Sequence, residues 1–278
     1  MQSIVNVKIS YQAFREILML LTRHRQLTFA MARREIADRY AGQSLGILWA
    51  IIHPIVIMGV YVFIFAYVIK MKVGGTQELP LDYTAYLLSG LIPWMCFQES
   101  MSKASVVIVN NANLVKQVVF PIEVLPVKVV IASLFSMLIS LVILMLYVLM
   151  VNHSIPRTYL LLPVLLLFQM ALMIGINYML SAIGAYFRDV KDFVQIFNTI
   201  GLYLVPIFYL PDQVPSIFRP LLYCNPFSYV IWCYQDILYF GRVEHWWSWL
   251  LLVVITAIAF LGGYRIFRKL KTMFGNVL

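Results

Sequence analysis

The chain has 278 residues, of which 62% are hydrophobic and only 12% charged, with a formal net charge of +9 and a mean hydropathy of +0.86. So little charge beside so much apolar surface excludes a disordered chain and an ordinary soluble domain, which is nearer half apolar and a quarter charged. The composition describes an all-α, polytopic integral membrane protein whose basic excess records orientation and implies no nucleic acid.

Residues 1–16 show no basic run, apolar core and small-residue cleavage site in succession, so no cleavable signal is expected. Phe14, Ile17, Leu18 and Leu21 then recur at helical spacing, with Arg15, Arg23 and Arg25 in other directions. That pattern predicts an amphipathic helix lying in the membrane interface. The next helix has Phe29, Ala32, Ile36 and Tyr40 on one face. Its charged face carries two four-residue pairs, Arg34 with Asp38 and Glu35 with Arg39. Membrane anchoring and docking of a cytoplasmic partner both account for this N-terminal region, residues 1–46.

A bilayer core takes about 20 apolar residues per helix. Six stretches supply them, at about 47–69, 83–109, 124–151, 159–187, 193–210 and 247–267. They define a transmembrane domain over 47–268, followed by a tail, 269–278. Pro54 and Pro93 lie inside the first two spans and predict kinks, because each removes a backbone donor. Six spans put both termini on one side. Sixteen Lys and Arg lie on that side against five on the other, so the termini are expected to be cytoplasmic.

Residues 211–246 do not read as a plain outer loop. Pro211-Asp212-Gln213-Val214-Pro215 breaks structure, Ser216 to Cys224 is apolar, Asn225-Pro226 breaks it again, and Phe227 to Phe240 is apolar and aromatic. Each piece is too short to span. Two short helices re-entering the outer leaflet fit, and a folded external cap is the alternative.

The residues that chemistry would need are scattered. His24, His53, His153 and His245 stand far apart without metal-ligand spacing, and no GxxxxGK[ST] phosphate loop occurs. Cys96, Cys224 and Cys233 read as small apolar groups. No catalytic residue, metal or cofactor is therefore assigned to this chain. Acidic residues are nearly missing from the spans, the ambiguous one being Glu99, four residues from Lys103. Ion-coupled transport generally needs such groups, so solute movement here would draw its energy from elsewhere. Tyr178, Tyr186, Tyr203 and Tyr209 lie within or near the fourth and fifth spans. A flat apolar ring with a hydroxyl suits a sugar sliding past, and equally suits core packing.

Several pieces, in order, resemble one family. Arg33-Arg34-Glu35-Ile36-Ala37-Asp38-Arg39-Tyr40 leads into Leu45-Gly46-Ile47-Leu48-Trp49 and Pro54. Gly90-Leu91-Ile92-Pro93-Trp94 follows, then Asn113-Leu114-Val115-Lys116 with Phe120-Pro121-Ile122-Glu123-Val124-Leu125-Pro126. Tyr186-Phe187-Arg188-Asp189-Val190-Lys191-Asp192 and Asn225-Pro226 complete the set. Over about residues 25–268 the chain resembles the membrane subunit of ABC-2 type polysaccharide exporters, which serve O-antigen, capsule and teichoic acid.

The resemblance implies a homodimer with two separate ATPase subunits that bind ATP and Mg. It also implies a polysaccharide carried on undecaprenyl pyrophosphate in the bacterial inner membrane. Transferred to this chain, it makes Glu35, Asp38, Arg39, Tyr40, Lys116, Phe120, Pro121, Glu123, Arg188 and Asp189 candidates for ATPase coupling. Arg33, Arg34 and Arg39 are candidates for the pyrophosphate, because Arg forms forked hydrogen bonds with phosphate. The four tyrosines are candidates for the polysaccharide passage. The competing readings are an ABC-2 exporter of small drugs or lipids, a membrane glycosyl- or acyltransferase, and a channel.

Overall fold

A computed structural model describes Met19 and residues 22–70, 81–116 and 120–277. Phe14, Ile17, Leu18 and Leu21 of the expected interface helix lie outside the described residues. The described chain is helical and contains no strand. Helix α1 (Arg25–Tyr40) is followed by a 3-10 turn (Gly46–Leu48) and α2 (Trp49–Val62), which continues as a π-helical turn to Val68. Next come α3 (Tyr83–Ala104), the single turns α4 (Val107–Asn110) and α5 (Ala112–Val115), and α6 (Val124–Asn152). Helix α7 (Leu162–Tyr186), entered through a 3-10 turn from Arg157, precedes α8 (Val190–Leu204). The short helices α9 (Arg219–Cys224) and α10 (Pro226–Gln235) lead through a π turn, Asp236–Phe240, to α11 (Trp246–Lys271) and α12 (Phe274–Val277).

Four stretches among the described residues are long and apolar enough to cross a membrane: Gly46–Val68, Val124–Asn152, Arg157–Tyr186 and Trp246–Lys271. They match the first, third, fourth and sixth expected spans. The other two differ from expectation. The continuous helix of the second span stops at Ala104, five residues short, and gives way to the single turn α4. The fifth span stops as a helix at Leu204, because Pro206 holds the preceding Val205 in an extended conformation. Backbone freed in this way needs partners inside the protein. Tyr83 donates to the Phe208 carbonyl at 3.0 Å, Tyr86 to Tyr209 at 3.0 Å, and Gln235 to Pro206 at 2.7 Å.

The tightest helix contact is the crossing of α7 and α11. A Cβ built on Gly263 would sit 1.9 Å from the Gly175 carbonyl oxygen, and one on Gly175 would sit 2.3 Å from that of Ala259. Small residues are what allow helix backbones to touch inside a membrane, where no hydrophobic force drives them together.

Side-chain bonds define two ends of the bundle. At one end Glu123, before α6, pairs with Lys271 at 2.5 Å, and Tyr186 donates to the Leu270 carbonyl at 2.8 Å. Phe274 is fully buried there against Tyr186 and Phe267. The turn after α3 reaches the same end, where Gly184 allows close approach of the Ser105 carbonyl. At the opposite end Tyr147 donates to Asp82, the N-cap of α3, at 2.5 Å, and Tyr239 donates to the Leu81 carbonyl at 3.2 Å.

That second end is pinned by Asp236, which is fully buried. Its carboxylate accepts from the His245 backbone at 3.1 Å, lies 2.8 Å from His245 Nδ1, and accepts from Trp249 Nε1 at 3.1 Å. The His245 ring stacks on Trp232, which also packs against Tyr223, Tyr229 and Trp247. Gly241 makes the intervening bend at a φ of +64°, a conformation that disfavours side chains.

Candidate functional site

A cavity of about 980 Å³ opens between α1, α2, α3, α6 and α8. Its size is at the upper end of small-molecule sites. Its lining is unlike the rest of this apolar bundle. Helix α6 contributes Ser133, Ser136 and Ser140, spaced three and four apart and so on one helical face. Helix α3 contributes Gln98, Glu99, Ser102 and Lys103, and α8 contributes Gln195, Asn198 and Thr199. Tyr40, Trp49 and His53 supply aromatic surface. Three hydrogen bonds knit α8 to α3: Gln98 donates to the Asn198 carbonyl at 2.7 Å, and Asn198 donates to the Gln98 carbonyl at 3.2 Å and to Ser102 at 2.9 Å. The buried Ser133 hydroxyl has no hydrogen-bond partner among the described residues.

A chain of alternating charge runs along the end of this cavity. Lys128, on α6 and nearly buried, pairs with Glu35 at 3.2 Å. Glu35 lies 3.6 Å from Lys103, Lys103 lies 3.3 Å from Glu99, and Glu99 pairs with Arg39. Arg39 also donates to Ser136 at 2.7 Å. The expected pairing within α1 is therefore only half realised. Arg34 and Asp38 do pair, at 3.4 Å on the exposed face. Glu35 and Arg39 face inward instead, and their partners lie on α3 and α6. Half-buried charges gain more from a partner in the same sheltered site than from one across a wet helix face.

The coupling candidates are thus divided. Glu35 and Arg39 belong to the charge chain, and Tyr40 lines the cavity. Asp38, Lys116, Arg188 and Asp189 are exposed. Phe120 packs on the core, beside Pro121, and Glu123 is held by Lys271. Of the pyrophosphate candidates, Arg39 reaches the cavity, whereas Arg33 and Arg34 are exposed. None of the four tyrosines lines the cavity. Tyr178 is buried against Tyr264 and Phe267 and donates to the Glu123 carbonyl at 3.2 Å. Tyr186 is fastened to Leu270, Tyr209 donates to the Tyr203 carbonyl at 2.6 Å, and Tyr203 is exposed. The serine and amide stripes were missed from sequence, although their spacing within apolar helices is a readable signal.

The family described as ABC-2 type transporter matches residues 26–239, a stretch that begins in α1 and contains every residue of the cavity. The chain belongs to this family. An O-antigen export system permease protein, RfbA, of Myxococcus xanthus is 29% identical over 92% of this chain and 96% of its own length. The RfbA of Klebsiella pneumoniae is 26% identical over 91% of this chain and 95% of its own. A polysialic acid transport protein of Escherichia coli, KpsM, is 24% identical over 86% of this chain and 91% of its own. Within this ABC-2 chain, among the described residues, no three His, Cys, Asp or Glu side chains gather where a metal ion would sit.

Proposed function

We propose that this chain is the membrane-spanning half of an ATP-driven exporter. Its substrate is a polysaccharide built on undecaprenyl pyrophosphate, in the O-antigen class, moved across the bacterial inner membrane. The observation that carries this reading is a polar, charged cavity inside an apolar helix bundle whose relatives are named as O-antigen export permeases. In this reading α3 and α8 complete six spans, both termini are cytoplasmic, and α9 and α10 re-enter the outer leaflet. Two copies pair, and each engages a cytoplasmic ATPase that supplies ATP and Mg. The uncovered apolar side chains of α2, among them Ile51, Ile55 and Val56, are available to lipid or to the second copy.

A polymer needs a passage of many weak, exchangeable contacts, since one strong site would stall it. The serines of α6 and the amides and hydroxyl of α8 offer such contacts. Arg39 sits where a carrier phosphate would meet it, while Arg33 and Arg34 face lipid headgroups. Closure of the ATPases pushes on Asp38, on Lys116, Phe120, Pro121 and Glu123, and on the Arg188-Asp189 turn.

Co-purification with a cytoplasmic ATPase and nucleotide-dependent export of lipid-linked polymer test the proposal. A chain that remains without any ATPase and exports no polymer sinks it. Export of small drugs with no polymer would select the rival ABC-2 reading. Asp38→Ala, Glu123→Ala and Lys271→Ala are each expected to lower export at least 5-fold while the chain still inserts. Unchanged export for Lys271→Ala would show that the Glu123–Lys271 clamp plays no part in coupling.

A further inference from the structure

The two i,i+4 pairs of the charge chain run in opposite directions. Helix α1 presents Glu35 then Arg39, and α3 presents Lys103 opposite Glu35 and Glu99 opposite Arg39. Each acid therefore meets a base on the other helix, and Lys128 extends the set to α6. Arg39, Glu99 and Lys103 also line the cavity. The same contacts that hold α1 against the bundle thus form the cavity's charged end. Among the described residues, three cations share two carboxylates, an excess of one positive charge in a half-buried site. An anion of higher charge than a carboxylate is drawn to such a place.

We propose that Lys128, Glu35, Lys103, Glu99 and Arg39 form an ion-pair latch that holds α1 across the cytoplasmic end of the cavity. A diphosphate opens it by taking Arg39 and Lys103 from the two carboxylates. The identity of the anion rests on the export reading; the latch itself rests on the pairing. A ligand shifts a conformational equilibrium only through its preference for one state. Here the preference has a stated origin. In the open state the cations hold phosphate oxygens, while Glu35 and Glu99 regain water.

Native Cys96 lines the cavity and is buried, so its alkylation reports whether the latch is open. The full-length chain, with Cys224→Ser and Cys233→Ser, is placed in nanodiscs of phosphatidylethanolamine and phosphatidylglycerol and treated with N-ethylmaleimide without nucleotide. Glu99→Gln and Glu35→Gln are expected to speed modification of Cys96 about 5-fold or more. Undecaprenyl diphosphate in the nanodisc is expected to do the same to the parent chain. Arg242→Ala, which breaks an exposed ion pair with Glu244 away from the cavity lining, is expected to leave the rate unchanged.

Equal acceleration by Arg242→Ala would reveal general loosening and overturn the latch, as would no acceleration by either Gln variant. Ser140→Cys in a Cys96→Ala background repeats the test at a second cavity position, so an unreactive Cys96 cannot mask the result. Acceleration by inorganic pyrophosphate or by added phosphatidylglycerol to the same extent would overturn opening by the carrier and leave a general phosphate latch. The alkylation needs no ATPase and no polymer, so failure of the export reading would show in a different experiment.

Discussion

Gly263→Ala is expected to unfold the α7–α11 crossing, while Gly262→Ala one residue away is expected to be tolerated. A methyl group on Gly263 would lie 1.9 Å from the Gly175 carbonyl oxygen, and that neighbour is backbone, which cannot rotate aside. The two helices would have to separate along their contact, and overpacking of this kind costs about 3 kcal/mol or more. Gly262 has nothing within 4 Å of its would-be Cβ. There the change gains helix propensity of about 1 kcal/mol. Thermal unfolding in detergent, followed by size-exclusion fluorescence, separates the pair. Equal melting temperatures for the two variants would mean that the helices do not touch at backbone distance.

The second large effect is expected at the other end of the bundle. Asp236→Ala removes one buried carboxylate and strands the His245 and Trp249 donors that point at it. Loss of a buried, hydrogen-bonded charge partner costs about 3 kcal/mol. The hairpin of α9 and α10 is then no longer pinned to the start of α11. A melting temperature lower by about 5 °C or more is the expected result. Asp236→Asn keeps the shape and one acceptor oxygen and should lose less. A wild-type melting curve for Asp236→Ala would show that the aromatic cluster around Trp232 holds this end alone.

Both effects concern residues that are silent in the sequence. Gly263 is one of 13 glycines, and Asp236 counts there as one acidic residue among 12. Their weight comes from what faces them, and that is set by chain segments nearly 90 residues away for Gly175 and Gly263, and by packing on α11 for Asp236. The polar cavity had a local signal that was not used. Ser133, Ser136 and Ser140 repeat at helical spacing inside an apolar helix, as do Gln195, Asn198 and Thr199. The tyrosines carried the opposite lesson. Tyr178 has the right chemistry for a sugar, yet its hydroxyl is bound to the Glu123 carbonyl and its ring is packed.

Hydropathy and the placing of proline determined the class of this protein, the four long apolar helices and the break between α9 and α10 at Asn225-Pro226. Those features follow from burial of apolar surface and from the backbone donor that proline lacks, both properties of short stretches. The order of its motifs also placed it in its family. Only the tertiary structure decided which charges meet. Glu35 and Arg39 stand one helical turn apart in sequence, but the sheltered space between α1, α3 and α6 gives them Lys103, Lys128 and Glu99 instead. Coulombic attraction depends on distance and on exclusion of water, and neither is written in the spacing of residues along one chain.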